Sequence, residues 1–160
     1  MSGGSFDLTK SILPEGIRPF RSSAIAVPRS ISGISVWLKA DAGVYQDSAL
    51  TTPSAADADP VGGWQDQSGT GNHALQTTAG KRPLLKLAIQ NGKSVLRFDA
   101  TDDFLQATLV STLVQPCTGF IVCKTTNVGR GDAFYDGHAA VQNLFDSDGT
   151  HYRLVSGGTI

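Results

Sequence analysis

Glutamate is almost missing from this chain. Glu15 is the single one in 160 residues, so any carboxylate pair for acid–base work must be built from aspartate. Cysteine is scarce as well, with two residues. Cys117 and Cys123 flank one short apolar run; if that run is a strand, their Cα atoms stand about 20 Å apart, beyond disulfide reach. Reduced, half-buried thiols are expected, which fits folding in a reducing compartment. No apolar stretch approaches the roughly 20 residues of a membrane span. The N-terminus has no basic region followed by an apolar core, so no secretory signal is expected there. Lysine and arginine number 13 against 14 acidic residues, a net charge of -1, and the charges are scattered. That excludes the clustered basic surface that nucleic acid or an anionic membrane face requires.

Glycine, by contrast, is plentiful: 18 of 160 residues, above the roughly 7% of an average protein. Most stand beside Ser, Thr, Asn or Asp, where turns need positive φ. Many turns between short apolar runs predict an all-β domain of ordinary size.

Two regions are expected. Residues 1–30 combine the flexible Ser2-Gly3-Gly4-Ser5 with Pro14, Pro19 and Pro28, which break helices and central strands. Yet Phe6, Leu8, Ile12, Leu13, Ile17, Phe20 and Ile25 are more apolar groups than a disordered linker holds. The segment is either an extended arm that docks in cis or in trans, or a strand or two packed on the same domain. Residues 31–160 form the domain. Ile34, Val36 and Leu38 alternate with Ser35, Trp37 and Lys39, predicting a strand. A long loop from Asp41 to Gly63 is expected to hold an insertion or a short hairpin. Leu84–Gln90 has strand length but some helical spacing, and Ser94–Asp99 reads as a strand, with Asn91-Gly92 a hairpin turn between them. Gly119–Cys123, apolar on both faces, predicts a central strand. Asn143–Phe145 and His151–Val155 predict a hairpin around Asp146–Gly149.

The longest motif runs from Trp64 to Leu105. Trp64 offers apolar surface, and Asp66 is placed to accept hydrogen bonds from the amides of the Ser68–Gly71 turn. Asp99–Asp103 reads as a polar turn whose side chains cap free amides. Taken together, Trp64-x-Asp66-x-Ser68-Gly69-x-Gly71-Asn72-x-Ala74, Arg82-Pro83, Asn91-Gly92 and Leu96-Arg97-Phe98-Asp99-x-Thr101-Asp102-Asp103-x-Leu105 resemble the laminin-G-like, or concanavalin A-like lectin/glucanase, superfamily. Val36–Val44 is similar to the strand that opens such domains. The resemblance implies a jelly-roll sandwich of two antiparallel sheets behind an extended N-terminal arm. Two departures stand out. The family usually has glycine where Ala100 stands, which a positive-φ turn would not tolerate cheaply. The sequence also ends at Ile160, near what resembles a mid-domain hairpin. The closing strands are therefore expected from a longer chain, from another chain or from the arm.

Hydrolases of this superfamily carry a Glu-x-Asp-x-x-Glu strand, which this sequence lacks, so an enzyme is not expected. Asp146 and Asp148 are candidates for calcium, which some laminin-G-like domains bind; a plain turn is the alternative. Asp132, Asp136 and His138 offer a metal reading without the second His or Cys that zinc wants. His73 and His151 are isolated, and Ser68 and Ser94 have no evident triad partners. Trp37 and Trp64 are expected in the core rather than against a sugar. The function implied by the resemblance is that of a structural virion protein: a bacteriophage tail, fibre or capsid-decoration component. Its arm would dock on other virion subunits or on further copies of itself, and its domain would face cell-surface glycan. The alternative is a carbohydrate-binding or adhesion module at the bacterial surface or outside the cell. No nucleic acid or membrane partner is expected.

Overall fold

The computed structural model describes residues 28–113, 116–124, 130–135, 143–148 and 152–156, the last three as backbone strands. The chain divides into two compact units, residues 1–34 and 35–160. In the first, the described residues, 28–34, include a 3-10 turn, Pro28–Ser30, closed by the Ile31 amide on the Pro28 carbonyl at 2.9 Å.

The second unit is all-β. It contains β1 (Val44–Tyr45), β2 (Gly63–Trp64), β3 (Ala74–Leu75), β4 (Leu84–Gln90), β5 (Lys93–Arg97), β6 (Gln106–Ala107), β7 (Arg130–Tyr135), β8 (Asn143–Asp148) and β9 (Tyr152–Ser156). Among the described residues there is no α-helix, and none long and apolar enough to cross a membrane. All ladders are antiparallel. The first sheet runs β1-β2-β3-β6, the second is the β4-β5 hairpin, and the third runs β7-β8-β9.

The first two sheets meet at Val61, which is fully buried. Its amide donates to the Pro83 carbonyl at 2.8 Å, beside Ala58 and Leu85 amides that bind Leu85 and Asp59 carbonyls. One residue on, the Gly62 amide donates to Tyr45 and its carbonyl accepts from Gln76. The chain therefore leaves one ladder and enters the other within a single residue. Val44, Val61 and Leu85 form the core around this corner, with Trp64, Leu96 and Leu105 packed against it. Close packing leaves no room at Gly62, where a Cβ would lie 2.7 Å from the Gln46 carbonyl oxygen and 2.9 Å from the Asp47 Cα.

The β4-β5 hairpin has the expected turn. Asn91 and Gly92 take φ of 50° and 72°, the paired positive values a two-residue hairpin demands. Leu84–Gln90 resolves as a strand, and its mixed spacing has a local cause. The register slips between Lys86 and Gln90, and Ala88 within the bulge has φ of 54°.

Three strand expectations need correction. The segment expected as a strand, residues 34–39, joins no multi-residue ladder and makes an isolated bridge through Lys39 to Ala42. Its backbone is bound by side chains instead, as described below. Gly119–Cys123 is not a buried central strand: no strand forms there, and Phe120 and Val122 are 90% and 103% exposed. Apolar residues on both faces are buried only when layers cover both faces, and among the described residues nothing does so. Accordingly Cys117 and Cys123 are exposed rather than half-buried, and they form no disulfide. Finally, the β8-β9 hairpin exists, but β8 extends through Asp148 and pairs Ser147 with Tyr152. Asp146 and Asp148 thus belong to a strand.

Candidate functional site

The most elaborate polar structure in the domain is built around Asp66, which is 5% exposed. Oδ1 accepts the Trp37 amide at 2.8 Å and the Ser68 amide at 2.9 Å. Oδ2 accepts the Ser68 hydroxyl at 2.6 Å, the Thr70 hydroxyl at 2.8 Å and the Asn72 amide at 3.1 Å. Burial pushes this carboxyl upward, but the Ser68 hydroxyl and amide, the Trp37 amide and the Thr70 hydroxyl outweigh it. The group is held well below the usual carboxylate range. Positive φ at Gly69 and Gly71, 93° and 84°, lets the chain curl tightly enough to aim these donors at one carboxylate.

Asn72 extends the network. Its Nδ2 donates to the Ser35 carbonyl at 2.8 Å and its Oδ1 accepts the Val110 amide at 2.8 Å. Thr70 Oγ1 lies 2.6 Å from the Ser35 carbonyl and shares its single proton between that oxygen and Asp66, and the Gln67 amide donates to the Trp37 carbonyl. Residues 35–37 are thus held by the motif, not by a sheet. Further along, Gln76, 4% exposed, donates from Nε2 to Phe104 and accepts the Thr78 amide. Arg82 spends its guanidinium on three backbone carbonyls, those of Gln76, Gln46 and Thr77, at 3.0–3.1 Å. The Arg-Pro pair of the motif is a clamp: Arg82 ties the β3–β4 connection to the β1–β2 connection while Pro83 is buried without needing a donor.

Ser68, Asp66 and His73 do come together, but not as a catalytic triad. The serine hydroxyl binds the carboxylate directly, and His73 Nδ1 accepts the Asp66 backbone amide at 3.1 Å. A triad needs the imidazole between serine and acid. Trp64 packs on the core and donates from Nε1 to the Lys39 carbonyl at 2.7 Å, as expected of a framework residue. Trp37 is half-buried, with the Lys39 ammonium 5.7 Å from its ring centre.

Three further aspartates organise loops by the same means. Asp47 accepts the Ala49, Thr51 and Thr52 amides and the Thr51 hydroxyl. Burial raises its carboxyl, yet hydrogen bonds from Thr52 and Thr51 win and hold it at about 2. Asp59 accepts the Ala55 and Ala56 amides at 2.9 Å each. Asp99 Oδ1 accepts the Thr101, Asp102 and Asp103 amides, and Asp103 returns a bond to the Asp99 amide. These two loops, centred on Asp47 and Asp59, are what the long Asp41–Gly63 segment contains, along with β1. The sequence signal was there: Asp47 and Asp99 each precede a short run of small or polar residues, and Asp59 follows the small pair Ala55-Ala56 that it caps.

Asp99, Asp102 and Asp103 also place carboxylate oxygens within 4.8 Å of one another. Burial, together with the charges of Asp99 and Asp102, raises the Asp103 carboxyl against the pull of the Asp99 amide. Lys81 lies 3.7 Å from Asp102. The cluster is mostly exposed, and amide capping accounts for it. A groove of about 300 Å³ lies beside β1, lined by Ala40, Asp41, Tyr45, Ser54, Leu85 and Ser94 among others. Asp41 in it pairs with Lys39 at 3.2 Å, and the Ser54 hydroxyl donates to Pro60. Among the described residues, no buried side-chain nitrogen or oxygen lacks a hydrogen-bond partner.

Of the other candidates, Asp146 and Asp148 sit opposite Arg153 and Arg130 in the ladder register, and Asp132 sits opposite Ser147. Asp136, His138, His151 and Glu15 lie outside the described residues. So do the arm residues Phe6, Leu8, Ile12, Leu13, Ile17 and Phe20. No protein-family model, curated protein or solved structure matches this chain. The superfamily resemblance therefore rests on the motif residues alone.

Proposed function

We propose that this chain is a structural virion protein, a tail, fibre or capsid-decoration component of a bacteriophage. In this reading residues 31–160 contribute to a concanavalin A-like jelly-roll sandwich, and residues 1–30 dock on neighbouring subunits through Phe6, Leu8, Ile12, Leu13, Ile17 and Phe20. The observation that carries the reading is the contrast between interior and surface. Buried polar groups are engaged in holding loops, with Asp66 alone accepting five hydrogen bonds. Large apolar side chains, meanwhile, stand in solvent: Phe120, Val122, Ile89 and Val110 are between 49% and 103% exposed. Surface of that kind favours burial against partners in an assembly. The protein acts as a building part, with no catalytic step.

The test replaces the six apolar arm residues with serine in the full chain and follows incorporation into particles. Loss of incorporation with an unchanged circular dichroism spectrum is the expected result; normal incorporation overturns the proposal. The groove beside β1, with Tyr45 offering a ring and Asp41 a carboxylate, favours a second reading as a carbohydrate-binding or adhesion module of a bacterial surface protein. That reading requires sugar binding by the full-length chain on a glycan array, with and without calcium.

A further inference from the structure

We infer that Asn91 is a site of spontaneous backbone modification, through succinimide formation with Gly92. This inference is independent of the assembly reading. Four asparagines occur in the sequence, Asn72, Asn91, Asn127 and Asn143, and only Asn91 precedes glycine. Both residues of the pair are exposed at the tip of the β4-β5 hairpin. Among the described hydrogen bonds, none engages the Asn91 carboxamide or the Gly92 amide. The electrophile and the nucleophile are therefore adjacent, solvated and free of hydrogen bonds among the described residues. Asn72 is the contrast: it is 2% exposed, and its carboxamide is held at both ends.

In the reaction the Gly92 nitrogen attacks Asn91 Cγ. The N–Cγ bond forms, the Cγ–Nδ2 bond breaks, and the proton lost by the Gly92 nitrogen leaves with ammonia. Water then opens the five-membered ring at one of its two carbonyls. Breaking the new N–Cγ bond leaves aspartate; breaking the original peptide bond leaves isoaspartate, with the main chain routed through Cγ. Glycine matters because it has no Cβ to crowd the attack. The two products differ in consequence. Aspartate keeps an Asp-Gly pair that suits the same turn. Isoaspartate adds a methylene to the main chain of a two-residue loop, which breaks the Gln90–Lys93 pairing. That hairpin carries Leu85 of the core and Leu96 packed against it, so the lesion loosens the corner.

The test incubates the full-length protein in mildly alkaline buffer at body temperature. Peptide mass mapping locates amide-to-acid conversion, and an isoaspartate-specific methyltransferase with labelled methyl donor detects the second product. Asn91 is expected to convert first of the four asparagines, with the isoaspartate label in its peptide. Gly92→Ala is expected to slow conversion; a Cβ there meets no atom within 4 Å but is strained by the φ of 72°, so the variant's fold is checked by circular dichroism before rates are compared. Asn91→Asp provides the stability reference for the benign product, and aged wild type is expected to unfold at lower denaturant than this variant. Conversion of another asparagine ahead of Asn91, or equal rates in wild type and Gly92→Ala, would overturn the inference.

Discussion

Replacing Asp66 with asparagine changes one atom's chemistry and almost no volume, so it isolates what the carboxylate does. Asparagine keeps an acceptor at the Oδ1 position for the Trp37 and Ser68 amides. At the Oδ2 position an NH2 group faces three donors, the Ser68 and Thr70 hydroxyls and the Asn72 amide. Hydrogen bonds to a charged acceptor contribute about 1.5–3 kcal/mol each, and an orphaned buried donor costs about 1–3 kcal/mol. The two hydroxyls can rotate and accept from the new amide. The Asn72 amide cannot, and it stays unsatisfied. The expected net loss is about 3–5 kcal/mol, a large share of the ~5–15 kcal/mol that holds a typical domain together. Trp37 and Trp64 adjoin the network, so fluorescence-monitored urea unfolding reads the change directly. Acid supplies an internal control. The Asp66 carboxyl is depressed in the folded state, so its stabilisation is complete above the unfolded value of about 3.9 and is lost as pH falls through the folded value. Wild type and Asp66→Asn should therefore converge as pH drops below about 4. A loss under about 1 kcal/mol at neutral pH would refute the assignment of Asp66 as the hub.

Three other outcomes follow from single positions. Ala100, exposed with φ of 61°, carries the left-handed penalty of about 1–2 kcal/mol, partly offset by the entropy glycine loses on folding. Ala100→Gly should thus raise stability by about 0.5–1 kcal/mol and Tm by roughly 2 °C in calorimetry; a fall in Tm would contradict the turn geometry. Gly62→Ala forces a Cβ against backbone on two sides and should cost about 1–3 kcal/mol in urea unfolding, with no effect counting against the corner packing. The Asp47 carboxyl sits at about 2, so the stability it contributes is present above the unfolded value and disappears as pH falls through about 2; Asp47→Asn should flatten that part of an acid unfolding curve followed by circular dichroism.

Local chemistry was legible in the sequence wherever one residue type dictates one conformation. Asn91-Gly92 announces its hairpin because few other pairs accept two successive positive φ values. The Asp66 cap and the Asp99 turn were readable for a similar reason: a short carboxylate followed by small polar residues reaches their amides. Ala100, at a position where the resemblance leads one to expect glycine, does adopt positive φ. Alternation proved a poorer guide. Residues 35–39 have the period of a strand, but Asp66, Thr70 and Asn72 satisfy that backbone instead. Gly119–Cys123 has the composition of a buried strand, but composition does not supply covering layers. The Arg82 clamp was hidden because its acceptors are carbonyls, which every residue carries.

Particle fractionation tests the functional account most directly. Virions from the natural source would be purified by density gradient and digested, and peptides of this chain quantified in the particle, cytosolic and envelope fractions. The account predicts the chain in the particle band at a fixed ratio to the major structural subunits. Its absence from that band, with recovery in the cell envelope or the medium, would contradict it.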